Sequence, residues 1–247
     1  MDGFIGEVSA LVARARDRGT PVRVFEEAAS PAASFPIRVG PGASPGVILR
    51  SDTFLELGNP EAGSTDLLLA TDTPSLVRGG RVTLVGPDIP ESEGRSLPFG
   101  QVVMVRGTGC AFEDLRGLLV VGQQIEGYMT RGGAGNVWSR VSRGGVARGL
   151  TFEVLGRALM SLLRAGQPDL EAIEVLFVTS ARDDVAALEP MARQVRDMRR
   201  EEMREHWRSQ GYDVDCHLDC SSCEDQQVCD DIRSAVRQAP ERERQES

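Results

Sequence analysis

Four of the five cysteines fall in one short stretch, Cys216, Cys220, Cys223 and Cys229, with the spacing C-x3-C-x2-C-x5-C. Thiolates bunched this closely can close a tetrahedral zinc site or hold an iron–sulfur cluster. Zinc ribbons usually divide their ligands into two C-x2-C pairs. Here only Cys220 and Cys223 form such a pair, so the run leans towards an iron–sulfur cluster, with zinc and redox-active thiols as alternatives. His217 lies inside the run but reads better as a solvated loop residue than as a ligand. Cys110, the fifth cysteine, reads as a small packed thiol.

A second group of residues could bind rather than react. Gly132, Gly133 and Gly135 form a glycine-rich stretch ahead of Trp138 and Arg140, with Arg131 at its start. Backbone N–H groups and arginine forks suit phosphates, and an indole face suits an adenine ring. The stretch leads into a strand rather than a helix, so it is neither a P-loop nor a dinucleotide fingerprint. The plain alternative is a hairpin with a packed tryptophan. Arg131, Trp138 and Arg140 are the candidate cofactor-binding residues. Acid–base or triad chemistry has little support, because the chain has only two histidines.

Composition narrows the partners. Thirty-seven acidic residues outnumber 28 basic ones, for a net charge of −9, which argues against non-specific nucleic-acid binding. Every basic side chain is arginine. No apolar run approaches the ~20 residues of a membrane helix, and the N-terminus carries no basic signal segment. The expectation is a cytoplasmic protein that engages no membrane, where reduced thiols favour metal over disulfides.

The elements that must position these residues predict an α/β (α+β) fold: a mixed sheet with flanking helices. Helical spacing covers 4–17 and 151–164, and Phe112–Met129 reads as a third helix. Strands are expected at Val22–Phe25, Val47–Leu49, Phe54–Leu57, Leu67–Ala70, Arg81–Val85, Val102–Val105 and Val137–Val141. The most apolar run is Ile173–Val178. Thr130–Asn136 reads as a loop. After Ser180, read as a capping box with Asp183, one long charged helix runs to about residue 210, with Pro190 as a possible kink. The expected divisions are 1–45, a helix, strand and loop; 46–211, the α/β core; 212–236, the cysteine-rich segment; and 237–247, a frayed tail.

Three stretches resemble the beta subunit of the carbon monoxide dehydrogenase/acetyl-CoA synthase complex. Phe54-Leu-Glu-Leu-Gly58 with Arg81–Asp88 is similar to that family's "ELG" and "IGPD" segments. Val121-Gly-Gln123 with Val137–Ser142 is similar to its "VGQ" and "IWIRIS" run. Cys220, Cys223 and Val228-Cys229 resemble the start of its cluster-binding segment. The resemblance spans residues 50–235. It implies a [4Fe–4S] cluster, CoA or an acyl-CoA as ligand, and a protein partner subunit. In that family the cluster is bridged to a dinuclear nickel site that assembles acetyl-CoA. Here no cysteine follows Cys229, so Cys216 would supply the fourth cluster ligand. The family's Cys-Gly-Cys nickel segment is absent, so neither nickel nor CO-dependent acetyl-CoA synthesis is expected. The first three cysteines also match the spacing of radical S-adenosylmethionine enzymes, but those carry the motif near the N-terminus. The expected function is thus acyl transfer in acetyl-CoA metabolism by an iron–sulfur protein. The alternative is a non-catalytic iron–sulfur or zinc-stabilised partner subunit.

Overall fold

The computed structural model describes residues 2–26, 35–43, 46–107, 124–133, 135–209 and 227. Two mixed sheets and their flanking helices make up the α/β architecture. The larger sheet has five strands, β1 (Val22–Glu26), β3 (Ser64–Thr71), β4 (Arg81–Val85), β6 (Phe99–Arg106) and β9 (Ala172–Val178), in the order β1-β4-β9-β6-β3. Pairs β4·β9 and β3·β6 are parallel, whereas β1·β4 and β6·β9 are antiparallel. The smaller sheet runs β5-β2-β8-β7, from β2 (Thr53–Leu57), β5 (Ser96–Leu97), β7 (Tyr128–Gly133) and β8 (Asn136–Ser142).

Period-two alternation sends successive side chains of the large sheet to two separate cores. Leu69, Val85, Met104 and Leu176 face one side, where they meet Ile5, Val8 and Leu11 of α1 (Asp2–Asp17) and Val195 of α5 (Glu189–Ser209). Leu68, Val82, Val103 and Phe177 face the other side. There they pack on α3 (Phe152–Gly166) and on Leu55, Leu57 and Val141 of the small sheet. Rings of Phe99, Phe152 and Phe177 join that core at centroid distances of 4.9–6.0 Å. Strand β9 is buried along its whole length because both faces are covered, which explains its almost continuous apolar pattern. Its one charged residue, Glu174, is only 3% exposed. It pairs with Arg81, its register partner on β4, at 2.6 Å, and accepts the Arg78 backbone N–H at 3.2 Å.

Several local expectations are corrected. Val47–Leu49 is not a strand; Val47 and Leu49 are exposed. The helix expected over Phe112–Met129 does not include its last residues, since Tyr128 and Met129 belong to β7; residues 112–123 lie outside the described ones. Thr130–Gly133 is strand rather than loop, because it pairs residue by residue with β8. The charged helix is two helices, α4 (Arg182–Ala186) and α5, and Pro190 sits in the first turn of α5. A proline there costs no hydrogen bond, since the first amides of a helix have no partner, so it starts the helix rather than kinking it. Ser180 is no capping residue: α4 begins after Ala181, and the Ser180 hydroxyl donates to Asp184 at 2.6 Å. A short helix, α2 (Arg143–Ala147), follows β8 and is capped by Ser142. By compactness the chain divides into Met1–Arg199 and Arg200–Ser247. No helix among the described residues is long and apolar enough to cross a membrane.

Candidate functional site

The small sheet carries the site. Its inner face holds Leu55, Leu57, Tyr128 and Val141, so the alternate residues Glu56, Arg131, Trp138 and Arg140 share the outer face. Arg131 lies opposite Trp138 in the β7·β8 register, and Glu56 lies opposite Arg140 in β2·β8. The three residues singled out from sequence therefore come together on one face of one sheet.

Their geometry is specific. The Arg140 guanidinium lies over the Trp138 ring, 4.7 Å from its centroid. Such a cation–π contact contributes about 0.5–1 kcal/mol at a partly exposed site. Glu56 Oε1 accepts both the Trp138 indole N–H and Arg140 Nε–H, each at 3.2 Å. Arg140 also donates Nη1–H to the Ile48 carbonyl at 3.2 Å, tying the segment before β2 to the sheet. Arg131 is exposed and has no ion-pair partner among the described residues. Arg143, which follows β8, pairs instead with Glu93 at 2.5 Å and contributes nothing here.

Two open depressions flank the Trp138–Arg140 pair. One, of about 410 Å³, lies between Arg131, Trp138, Asn136 and the Gly58–Pro60 turn. The other, of about 460 Å³, is lined by Arg50, Arg95 and Arg140, with Glu56, Thr53 and Ser96. Three arginines against one carboxylate suit an anion. Sequence reasoning missed Glu56, Arg50 and Arg95. Glu56 alternates with Leu55 and Leu57, which marks it as facing outward, but its partners follow only from cross-strand register. Arg50 lies in a single turn of 3-10 helix (Arg50–Asp52) ahead of β2, and Arg95 just precedes β5, whose existence a two-residue strand does not signal.

Close approach explains two motif glycines. A Cβ on Gly58 would lie 2.3 Å from the Val137 carbonyl, and its φ of 66° also favours glycine. A Cβ on Gly86 would lie 2.5 Å from the Ser180 backbone nitrogen. Asp88, two residues on, accepts the backbone N–H groups of Ile89 at 2.7 Å and Phe152 at 2.9 Å, and so fixes where α3 begins.

Behind the site, the inter-sheet space holds a polar cluster around a cavity of about 30 Å³ lined by Asp66, Gln101, Tyr128 and Thr130. The Ser139 hydroxyl bonds to Tyr128 Oη and Thr130 Oγ1, each at 2.9 Å. Burial pushes the Tyr128 phenol up to about 12. Burial also raises the Asp66 carboxyl to about 6, against a hydrogen bond from Gln101 at 3.2 Å. Both groups hold protons more firmly than they would in water.

The cysteine run Cys216, Cys220, Cys223 and Cys229, with His217 and Cys110, lies outside the described residues. Among the described residues no group of three or more His, Cys, Asp or Glu side chains could hold a metal ion.

Comparison with known proteins agrees with these motifs. The family model for the CO dehydrogenase/acetyl-CoA synthase complex beta subunit matches residues 35–184, a span that contains the site and stops short of the cysteine run. Acetyl-CoA decarbonylase/synthase complex subunit beta 1 of Methanosarcina thermophila is 27% identical over 203 residues, 78% of this chain and 41% of that protein. The beta subunit of Archaeoglobus fulgidus is 26% identical over 209 residues, 81% of this chain and 38% of its own. A beta 2 subunit of Methanocaldococcus jannaschii is 27% identical over 195 residues, 76% and 40% of the two chains. All three are named as subunits of a larger complex, and this chain spans about two fifths of their length. With the match covering every strand of the small sheet and the Gly58 and Asp88 turns, the chain belongs to the family of the CO dehydrogenase/acetyl-CoA synthase complex beta subunit.

Proposed function

We propose that this protein binds CoA or an acyl-CoA on the outer face of the four-stranded sheet, as an iron–sulfur subunit of an acyl-transfer complex. The observation that carries the reading is the stacked Trp138–Arg140 pair standing between an arginine-lined depression and a more open one. CoA has a polyanionic end, an adenine ring and a long pantetheine arm, whose terminal thiol is a thioester in an acyl-CoA. Arginines answer the first, an indole edge the second, and a groove the third. The names of the relatives, which are parts of acetyl-CoA decarbonylase/synthase complexes, point to the same ligand.

Cys216, Cys220, Cys223 and Cys229 would hold the cluster. Their donor chemistry, four thiolates at short spacing, fits a [4Fe–4S] group. Such a group supplies one-electron transfer. The sheet face would hold and orient the ligand.

Two measurements test the two halves. CoA titrated into the protein should change tryptophan fluorescence, and Trp138→Phe should abolish the change, a control needed because Trp207 also emits. An unchanged signal at millimolar CoA would remove the ligand reading. Anaerobically prepared, dithionite-reduced protein should give an iron–sulfur paramagnetic resonance signal. A colourless protein holding one zinc and no acid-labile sulfide would replace the cluster with a structural metal and favour the non-catalytic partner role.

A further inference from the structure

We propose that Glu56 is the positioning residue of this site, holding Trp138 and Arg140 as one plate, so that Arg50 and Arg95 take the phosphates of the ligand. This rests on the CoA reading above. A single oxygen, Glu56 Oε1, accepts from both Trp138 and Arg140. The reach is set by strand pairing: Glu56 sits directly opposite Arg140, and Trp138 is the next outward residue along β8. The other carboxylate oxygen meets Asn59 Nδ2 at 3.4 Å, and Asn59 also donates to Ser96 Oγ at 2.7 Å, so the carboxylate itself is held in place.

Arg140 already gives Nε–H to Glu56, an Nη1–H to the Ile48 carbonyl and its face to the indole ring. A phosphate on Arg140 would stand beside the Glu56 carboxylate, whose side chain is only 27% exposed, and so bring two anions together. Arg50 and Arg95 face no such conflict. Both are exposed, both line the same depression, and neither has an ion-pair partner among the described residues. The Arg95 carbonyl accepts the Glu56 N–H at 3.1 Å, so Arg95 is anchored beside the plate by its backbone while its guanidinium stays available.

Charge and position make opposite forecasts for Glu56→Ala, which gives the test its force. Removing a negative charge next to a polyanion should tighten binding if Glu56 is a bystander. If Glu56 positions the plate, binding should weaken. The experiment uses full-length protein carrying Trp207→Phe, so that Trp138 is the sole indole. Without ligand, Glu56→Ala should weaken the near-ultraviolet circular dichroism of Trp138 and raise its quenching by acrylamide. CoA affinity should fall about tenfold, the scale of losing hydrogen bonds to a charged group. Glu56→Gln keeps an acceptor oxygen and should recover most of both signals, which separates positioning from misfolding. Arg50→Ala and Arg95→Ala should weaken CoA more than pantetheine, which lacks phosphates. Equal or tighter CoA binding by Glu56→Ala overturns the proposal, as do equal losses for CoA and pantetheine in the arginine variants. A parent protein indifferent to CoA would remove the ligand reading instead. The ligand-free spectra then decide the clamp, and unchanged Trp138 signals in Glu56→Ala overturn it.

Discussion

Asp66 sits half-buried on β3, in the space between the sheets, with its carboxyl raised to about 6 chiefly by burial. A carboxyl that binds its proton more tightly when folded than when unfolded favours the fold at low pH. That contribution is lost as pH rises from about 4 through 6, and above that range the charged group costs stability. Asp66→Asn should therefore raise the melting temperature at pH 7.5, by a stability gain on the order of 2 kcal/mol. The gain should vanish as pH approaches 4, which thermal melts across that range would check. Glu174 is the opposite case. It is buried but paired with Arg81 and with the Arg78 amide, so its charge is answered where it stands. Glu174→Ala should cost about 3 kcal/mol, since it strands Arg81 and leaves a void on the sheet face towards α1. Urea denaturation measures that loss.

Helix α3 and the strands beneath it show what can be read from sequence. Its stripe Phe152, Leu155, Leu159 and Leu163 is visible as helical spacing, and all four are buried. Gly156, in the middle of that helix, looks like a defect, yet a Cβ there would lie 2.6 Å from Val82 Cγ2 and 2.7 Å from Cγ1. Gly156→Ala should thus destabilise by about 1–3 kcal/mol despite alanine's better helix propensity. Val82→Ala in the same chain should recover part of the loss, a coupling that a double-mutant cycle would expose. Periodicity likewise marks β2, β3, β4, β6, β8 and β9. It fails at Thr130–Gly133, where glycines mimic a loop while the pairing to β8 makes a strand. It fails at Val47–Leu49, where Ile48 buries its side chain and offers its carbonyl to Arg140 without any strand pairing. The candidate binding residues Arg131, Trp138 and Arg140 are legible as types, and the β7·β8 register joins them. Glu56 is invisible as a partner, because nothing local links position 56 to positions 138 and 140.

On the scale of the molecule, both cores close between Ile5 and Val195. A protein ending at Ser209 should therefore keep a cooperative melt and the near-ultraviolet signature of Trp138, and, with the cluster on Cys216–Cys229 as proposed, bind no iron. Retained iron would place the metal elsewhere than Cys216–Cys229. The order of strands has a further consequence for synthesis. Strand β9 lies at the centre of the five-stranded sheet, between β4 and β6, yet it is the last of the five to be made. Until residue 178 clears the ribosome, β4 and β6 have no neighbour on their facing edges, and the half-sheets β1·β4 and β3·β6 have no strand to join them. Unpaired apolar edges of that kind are templates for wrong pairing. The nascent chain thus passes through a long window in which the facing edges of β4 and β6 are open to wrong partners.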